Sequence, residues 1–407
     1  MTNGTFTTLL SPGALAFDEL ASLDDVMSGA RIVGVGEGAH FVAEFSLARE
    51  SLVRYLVSQH GFNMIGLECG ALQGARIEAW LDSPQGSQEL EEVTDPLTFA
   101  LYGSLLIGLK SWLAKSGLTL RLVGVDLPNT LNPLEDLSDL SEALGRVDPP
   151  LEPEVVALMA LLAPIDGQSA LSSSLRWGEL SPVLRDEAIS RVQRLRHRLA
   201  ALEPVLCRPA ENAAFHRAVG RIASVEHTLE TLRVMERLFA GASLEGDTSV
   251  RDAFMAGVVE SMVGADPALK LVVLAHDNHI QKTPVSFVGE LTAVPMGLHL
   301  ARRADYRAIA MTHLGTTVPE MDFPAPDSPV GFSVVTAQAD ALGDEHVERL
   351  MLDTCGVRGD VGWLRPGPDT RSTRVRSQSA SVVTTLRDAF DFVVCLPGAS
   401  KDPRVTF

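Results

Sequence analysis

The sequence has few cysteines and no long apolar segment. Its four cysteines, Cys69, Cys207, Cys355 and Cys395, are scattered over 407 residues, without a CxxC pair or a Cys/His zinc spacing. This usage is typical of core thiols in a reducing compartment. No apolar run reaches the roughly 18 residues that span a bilayer, and the first residues lack the pattern of a signal peptide. We therefore expect a cytoplasmic protein.

Common catalytic signatures are missing as well. No serine lies in a GxSxG elbow, and no phosphate-binding P-loop is present. Gly34, Gly36 and Gly38 form a GxGxG pattern, but the third glycine of a dinucleotide-binding GxGxxG is absent. These absences argue against a serine-hydrolase elbow and against nucleotide cofactors, and we expect no cofactor.

The composition otherwise fits a globular protein with a sizeable core. Hydrophobic residues make up 46% of the chain and charged residues 21%, and the length suffices for one large domain or two medium ones. The formal net charge of −18 argues against nucleic acid or an anionic membrane as a partner. The sequence leaves the oligomeric state open.

One stretch near the beginning organises the chain. The apolar run at 31–35 predicts a buried strand, and the glycines after it predict a sharp turn that carries Glu37 and His40. Helical periodicity follows at 41–59 and ends before Gly61, a typical helix cap. Ligands bind at such strand-to-helix junctions in open α/β sheets, and a histidine there tends to be neutral and able to accept a proton. A glycine-rich turn without a function is the alternative interpretation.

Three further apolar runs predict strands that end in polar side chains. They lie at residues 63–70, 119–128 and 268–275, and they end in Glu68, in Asp126, and in His276 and His279, respectively. A helix-capping carboxylate is the alternative for Glu68, and a turn-forming aspartate is the alternative for Asp126. Because the carboxyl ends of parallel strands lie at one edge of a sheet, we expect these side chains to converge.

The order of the predicted elements indicates an α/β protein. We predict a mostly parallel sheet flanked by helices, with a helical insertion or lid subdomain over the cleft. Strand-like runs vanish after a proline-rich break near residue 150, and helical stretches follow at 152–162, 182–202 and 210–238. The predicted units are 1–130, the first part of the α/β core, 131–245, the helical lid, and 246–407, the second part of the core.

The remaining elements are predicted from shorter patterns. A helix is expected at 97–115, a polar stretch at 83–95, a strand at 306–311 and a proline-rich loop at 317–331. Two tail strands are expected at 372–375 and 390–396, with a helix between them.

Neutral histidines and carboxylates in one cleft suit general acid/base chemistry. Two histidines and two glutamates are also able to hold a metal by ligand type. However, the segment from His276 to His279 places its histidines on a loop rather than at the helical HExxH spacing, and we expect no metal.

Several separated motifs together resemble the erythromycin esterase family, in the right order and over nearly the whole chain. The main ones are Gly36-Glu37-Gly38-Ala39-His40-Phe41, Glu44-Phe45 with Arg49, Glu68-Cys69-Gly70, Gly124-Val125-Asp126-Leu127-Pro128, and the segment from Ala275 to Pro284. The similarity extends to Asp252 with Met255, to Met296-Gly297, and to Cys355-Gly356-Val357. The resemblance implies an α/β fold with a helical subdomain above a cleft. It also implies hydrolysis of a macrolactone ester by an activated water, without a serine nucleophile.

Roles for individual residues follow from the same resemblance. His40 matches the general base and Glu37 the acid beside it, and His276 or Arg49 would stabilise the oxyanion. The candidate set is therefore His40, Glu37, Glu68 and His276 as catalytic residues, and Arg49, His279 and Asp126 as substrate-binding residues. The expected partner is a small molecule, a macrolide or another polyketide.

Three hypotheses for the function remain. The first is a hydrolase that cleaves a macrocyclic or polyketide ester and confers antibiotic resistance. The second is a tailoring enzyme of antibiotic biosynthesis that uses the same cleft for cyclisation, elimination or epoxide opening. The third is a non-catalytic protein that sequesters a natural product. Neutral histidines among acids argue against the third hypothesis, because binding alone does not need them.

Overall fold

The computed structural model describes residues 6–7, 20–84, 86–242, 244–287, 290–325, 327–352 and 361–407. Cys355 and its neighbours, which match the family near the end of the chain, lie outside these residues. Within them the strands are β1 (Phe6–Thr7), β2 (Ile32–Val35), β3 (Met64–Gly70), β4 (Arg121–Asp126), β5 (Leu271–Leu274), β6 (Val285–Phe287), β7 (Glu290–Ala293), β8 (Tyr306–His313), β9 (Thr317–Asp322), β10 (Ser333–Gln338), β11 (Val361–Leu364), β12 (Arg374–Ser377), β13 (Ala380–Val383) and β14 (Phe392–Leu396).

Eight strands form the central sheet, in the spatial order β1-β11-β14-β8-β2-β5-β3-β4. The six strands from β14 to β4 run parallel, and β11 pairs with β14 in the antiparallel sense. In the middle of the sheet, Val33 lies opposite Val272 of β5 and Arg307 of β8. The carboxyl ends of these six strands therefore share one edge, and the predicted α/β fold with a mostly parallel sheet is confirmed.

The helices of the described residues lie around the sheet and above its polar edge. They are α1 (Asp24–Met27), α2 (Ala43–His60), α3 (Ala71–Asp82), α4 (Ser87–Val93), α5 (Pro96–Ser116), α6 (Leu134–Val147), α7 (Glu152–Leu162), α8 (Ala170–Glu179), α9 (Pro182–Leu206), α10 (Asn212–Phe239), α11 (Ser249–Ala265), α12 (Asp277–Ile280), α13 (Met296–Leu300), α14 (Val347–Met351) and α15 (Leu386–Ala389). Helices α2 and α5 confirm two predicted helices, and both end at glycines with left-handed backbone, Gly61 and Gly117.

Apolar side chains cover both faces of the sheet. One core cluster joins the sheet to α2 and α5 through residues such as Phe45 and Leu105, and the other joins it to α11 and α13 through Val259 and Leu300. Strands β2 and β5 are buried along their whole length. Their unbroken apolar runs are therefore those of strands covered on both faces.

A third apolar cluster lies outside the sheet. It is formed largely by α6 to α10 and includes Leu137, Leu158, Trp177 and Leu229. Helices α7, α9 and α10 match the three predicted helical stretches, so the helical insertion is confirmed, whereas α6 and α8 were not predicted. The division of the chain at residues 130 and 245 stays a prediction.

Some of the shorter elements were predicted wrongly. The first part of the expected loop at 317–331 is β9, which forms a hairpin with β10, and Pro319 lies there opposite Thr336. A proline is tolerated in a two-stranded ribbon, because each strand has a free edge. The expected strand at 372–375 begins later, at Arg374, and returns as β13. The polar stretch at 83–95 contains α4, a helix that was not predicted.

Helix α5 contradicts the expectation that no apolar segment is long enough to cross a membrane. Its best window has a mean hydropathy of 1.4, and half of that window is buried inside the protein. Leu105 and Leu109 of this helix belong to the core. Helix α5 thus packs as a core helix, and the cytoplasmic location stays a prediction.

Candidate active site

Close contacts shape the glycine-rich turn after β2. A Cβ atom on Gly36 would lie 1.7 Å from Oδ1 of Asp277, and a Cβ atom on Gly38 would lie 2.7 Å from the carbonyl oxygen of Met311. The positive φ angle of this turn, 67°, occurs at Phe41 instead. The turn was predicted correctly, but the expected reason, the backbone freedom of these glycines, is wrong. They are required because neighbouring strand ends leave no room for side chains.

His40 is held at one of its two ring nitrogens. Its Nδ1 lies 2.9 Å from Oε1 of Glu37, and Oε2 of Glu37 lies 2.5 Å from Nη1 of Arg49. A carboxylate accepts hydrogen bonds, so Nδ1 of His40 is assigned as the donor, and in the neutral tautomer that carries this proton Nε2 has a lone pair. The side chain of His40 is 17% exposed. A basic nitrogen is thus available to a bound molecule.

Arg49 lies behind Glu37. It is 1% exposed, and its guanidinium lies over the ring of Tyr102, 5.2 Å from the ring centroid. Burial disfavours the charge, but Glu37, Tyr102 and Glu68 together outweigh burial and raise the pKa of Arg49. The structure places Arg49 as the counter-ion of Glu37, and this position does not match the substrate contact expected from the sequence.

His276 is the N-cap residue of α12, a single helical turn. The prediction that both histidines lie on a loop is therefore wrong for His279, which lies in the helical turn, whereas His276 precedes it. The backbone N–H of Asn278 donates to Nδ1 of His276 at 3.1 Å, so the proton of the neutral ring is on Nε2. Burial and the nearby His40 hold the pKa of His276 well below its usual value. The backbone of Gly38 interacts with the ring and opposes this fall in pKa, but Nε2 has no hydrogen-bond partner of good geometry in the described part of the chain. Because Nδ1 accepts, His276 is a buried neutral ring with its donor at Nε2.

The two histidine rings lie against each other. The ring centroids of His40 and His276 are 4.9 Å apart, and the planes meet at 64°. The backbone N–H of Asp277 also donates to the carbonyl of Glu37 at 2.9 Å, which ties the two turns together. The ends of β2 and β5, which are neighbours in the sheet, thus bring a basic nitrogen and a donor nitrogen into one site.

Glu68 connects these turns to two cations. Its Oε2 accepts from the backbone N–H of His276 at 2.9 Å, and its Oε1 accepts from Arg251 at 2.8 Å and lies 3.3 Å from Nε2 of His279. Burial alone would raise the pKa of Glu68, but His279 and Arg251 hold it well below the usual value. The helix-capping alternative is correct in part, since Glu68 accepts from the N-cap residue of α12, but Glu68 also forms a buried ion-pair network.

His279 lies between two carboxylates. Its Nδ1 is 2.7 Å from Oδ1 of Asp252, and its Nε2 faces Glu68. Burial disfavours the charged ring, but the two carboxylates outweigh burial and raise the pKa of His279 to about 10. His279 is therefore an imidazolium at neutral pH, and both of its ring N–H groups face carboxylates.

Asp126 contacts Arg251. Both of its carboxylate oxygens lie 3.0 Å from Nε of Arg251, and Asp126 is 2% exposed. Its Oδ1 also accepts from the backbone N–H of Leu127 at 2.7 Å, so the alternative interpretation as a turn residue is correct in part. This buried position does not match the substrate contact expected from the sequence.

A cavity of about 600 Å³ opens above these residues. Its polar floor consists of His40, Glu68, Arg251, Asp252, His276 and His279. Its walls are mostly apolar and come from α5, α10 and the β6–β7 hairpin, with Leu97, Leu101, Val234, Met235 and Phe287 among the lining residues. This volume is within the range of pockets that hold a drug-sized molecule.

Three residues of the site do not lie at the ends of parallel strands and were not predicted on that ground. Arg251 and Asp252 lie on helix α11, and Gln378 lies in the turn of the β12–β13 hairpin. Asp252 had a signal in the sequence, since it lies three and seven residues before Met255 and Val259 and so on the apolar stripe of α11. A charged residue on such a stripe needs a buried partner. Among the residues that the structure describes, no three His, Cys, Asp or Glu side chains form a metal-binding group, and the expectation of no metal stays a prediction.

Comparisons with known proteins agree with this architecture. The chain is 58% identical to erythromycin esterase type I from Escherichia coli over 405 residues, which cover 100% of both chains. It is 26% identical to erythromycin esterase type II from Escherichia coli over 400 residues, covering 92% of this chain and 91% of that one. A solved structure of a His-to-Asn mutant of the erythromycin esterase EreC, in its open conformation, is 56% identical and superposes with a TM-score of 0.96 over 100% of both chains.

A more distant similarity concerns the fold alone. A Bacillus cereus protein of solved structure is 17% identical and has a TM-score of 0.70, covering 99% of this chain and 97% of that one.

The family model described as erythromycin esterase matches residues 57–398. The chain therefore belongs to the erythromycin esterase family and is an erythromycin esterase-like hydrolase.

Proposed function

We propose that this chain opens a macrolactone or a related polyketide ester by direct attack of a water molecule that His40 deprotonates. The observation that carries the proposal is the difference between the Nδ1 partners of two adjacent histidines, a carboxylate at His40 and a backbone N–H at His276, which assigns their protons to opposite nitrogens. His40 offers a lone pair at Nε2, and His276 offers an N–H at Nε2, with ring centroids 4.9 Å apart. A base and a donor side by side are what ester hydrolysis by water requires.

The first step forms a tetrahedral intermediate. Nε2 of His40 takes a proton from water while the water oxygen attacks the ester carbonyl carbon, and Glu37 stabilises the imidazolium that forms. Arg49 is the counter-ion of Glu37 in this role. Nε2–H of His276 donates to the carbonyl oxygen as it becomes an oxyanion. Arg49 is too deeply buried to take that role.

The second step breaks the ester. The tetrahedral intermediate collapses, the bond between the carbonyl carbon and the ring oxygen breaks, and His40 returns its proton to the leaving alkoxide. The products are an alcohol and a carboxylic acid within one opened chain, and the acid releases its proton to solvent at neutral pH. The backbone at His276 is held by Glu68. The charge of the cavity floor is set by Glu68 together with His279 and Arg251.

The nature of the cavity supports a large apolar ester as the substrate. The polar groups lie together on the floor, and the walls from the helical layer are mostly apolar. A macrocycle presents one reactive ester on a broad apolar framework, which matches this division. The relatives named as erythromycin esterases favour a macrolide, and the corresponding biological role is resistance to macrolide antibiotics.

The proposal is tested by incubation of the protein with erythromycin in water enriched in heavy oxygen, followed by mass spectrometry. Hydrolysis predicts a gain of one water, with one heavy oxygen in the new carboxylate. His40→Ala is the matched variant and is expected to lose the reaction, with a fall in kcat of about a hundredfold to ten-thousandfold.

Other outcomes overturn the proposal. A product of unchanged mass would indicate elimination or cyclisation, the chemistry of a tailoring enzyme. Full activity of a folded His40→Ala variant would remove the proposed base. Absence of any reaction with a panel of macrolide and other polyketide lactones would contradict the substrate class.

A further inference from the structure

The β12–β13 hairpin reaches the site from a distant part of the chain. Its two strands pair from Arg374 opposite Val383 to Ser377 opposite Ala380, so Gln378 and Ser379 form the turn. Gln378 has a φ angle of 55°, in the left-handed region that residues other than glycine rarely adopt. Its side chain lines the same cavity as His40.

Gln378 holds the His40 turn at two points. Its Oε1 accepts from the backbone N–H of His40 at 2.5 Å, and its own backbone N–H donates to the carbonyl of Gly38 at 2.7 Å. These bonds fix the backbone on both sides of Ala39. The direction of Nε2 of His40 depends on this backbone as much as on Glu37, because Glu37 fixes the ring at Nδ1 only.

Gln378 is itself fixed by Glu320. Nε2 of Gln378 donates to Oε1 of Glu320 at 3.2 Å, and Oε2 of Glu320 accepts from the backbone N–H of Ser379 at 2.9 Å. An amide suits this place, because it accepts from His40 at one atom and donates to a carboxylate at the other.

The residue before Gln378 contacts the second histidine turn. Oγ of Ser377 accepts from Nδ2 of Asn278 at 3.0 Å, and the backbone N–H of Asn278 is the donor that holds Nδ1 of His276. One short hairpin therefore contacts both turns, next to the point where their rings meet.

We propose that Gln378 is a positioning residue, through which the β12–β13 hairpin sets the place of Nε2 of His40 relative to His276. The inference rests on the proposed hydrolysis by His40. A positioning residue acts on the chemical step, so its loss lowers kcat and leaves substrate binding nearly unchanged.

The first test is Gln378→Asn. Asparagine tolerates left-handed backbone and keeps the amide, but it is one methylene too short to reach the N–H of His40. We expect kcat to fall about tenfold to hundredfold, with KM within about twofold of the wild type. Gln378→Gly gives the same readout if the asparagine variant does not fold, since glycine accepts this φ angle freely.

The second test exchanges the two partners. Gln378→Glu keeps the acceptor for His40 but sets a carboxylate against Glu320, and it should lower kcat to a similar extent. The double variant Gln378→Glu with Glu320→Gln restores one donor and one acceptor between the two side chains, at unchanged net charge. We expect it to recover most of the wild-type kcat, which a side chain that contacted only substrate would not do.

Three results would overturn the inference. One is a raised KM with unchanged kcat in Gln378→Asn, which would assign Gln378 a substrate contact. Another is a double variant no more active than Gln378→Glu, and the third is a fully active Gln378→Asn. His40→Ala is measured alongside: if it stays active, the proposed function fails, whereas an inactive His40→Ala beside a fully active Gln378→Asn contradicts this inference alone.

Discussion

The turn that carries His40 and the turn that carries His276 use the same side chain in opposite ways. At His40 the partner of Nδ1 is a carboxylate, so the proton is on Nδ1 and Nε2 is a base. At His276 the partner of Nδ1 is a backbone N–H, so the proton is on Nε2, which is a donor. The difference shows that the hydrogen-bond partner of Nδ1 decides whether Nε2 presents a lone pair or an N–H to a substrate.

The surroundings reinforce this difference. Glu37 is paired with the buried cation Arg49 and stays an acceptor, whereas burial keeps His276 neutral. A third histidine nearby, His279, has carboxylates at both nitrogens and is charged. Three histidines in one cavity thus have three different protonation patterns.

Glu37→Gln should have the largest effect, because it reverses the proton placement at His40. The guanidinium of Arg49 requires the amide oxygen of the new side chain, so the amide NH₂ faces Nδ1 of His40 and drives the proton to Nε2. We expect kcat to fall about a thousandfold to ten-thousandfold. The buried Arg49 loses its counter-ion, which should destabilise the fold by about 3 kcal/mol.

Steady-state kinetics and thermal unfolding measure the two effects of Glu37→Gln separately. Glu44→Gln makes the same chemical change on the first turn of α2, where Glu44 contacts Ser400 rather than the site, and should leave kcat unchanged. A folded Glu37→Gln enzyme within tenfold of the wild-type kcat would contradict the assigned proton placement.

His276→Ala removes the donor and should have the second largest effect. Loss of one oxyanion donor lowers kcat about a hundredfold to a thousandfold, with KM nearly unchanged. His276→Gln keeps an N–H donor and should lie between the alanine variant and the wild type. His216→Ala, at an exposed position of α10, is the matched control, and equal kcat values for His276→Ala and the wild type would exclude the donor role.

Asp252→Asn tests the charged state of His279 through the pH dependence of the free energy of unfolding. The pKa of His279 rises from 6.5 to about 10 on folding, so its contribution is complete below pH 6.5 and is lost as the pH rises towards 10. We expect the free energy of unfolding of the wild type to fall over that interval by roughly 2 to 4 kcal/mol from this group. The asparagine variant should show a smaller fall in urea titrations, and equal slopes would mean that Asp252 does not hold the charge.

Ser377→Ala should have the smallest effect. It removes one hydrogen bond to Asn278 and so loosens the His276 turn, with a loss of about twofold to tenfold in kcat. The variant also tests the absence of a serine nucleophile, since Ser377 is a serine in the lining of the cavity. Complete loss of activity would contradict direct attack by water.

Much of the fold was predictable because it depends on local patterns. Unbroken apolar runs identified β2, β3, β4 and β5, and helical periodicity identified α2 and α5. Most hairpin strands, all except β12, were missed because they are short and include residues such as Pro319 that are typical of loops. Their pairing comes from partners across the hairpin rather than from their own composition.

The candidate site was predictable in its members and less so in their arrangement. The strand-end rule indicated His40, Glu68, His276 and His279, which the structure brings around one cavity. Arg49 and Asp126 are instead buried in ion pairs with Glu37 and Arg251. Asp126 and Arg251 are 125 residues apart in sequence, and no local pattern indicates such a pairing.

The sequence by itself determined the order of strands and helices and the acids and histidines at the strand ends, because side-chain periodicity and burial are local properties of the chain. Only the tertiary structure decided which nitrogen of each histidine carries the proton, which carboxylates are neutralised and which residues face the cavity. These depend on contacts between segments far apart in sequence, such as Gln378 with His40. Hydrogen bonding and burial act through such contacts, and the packed sheet edge creates them.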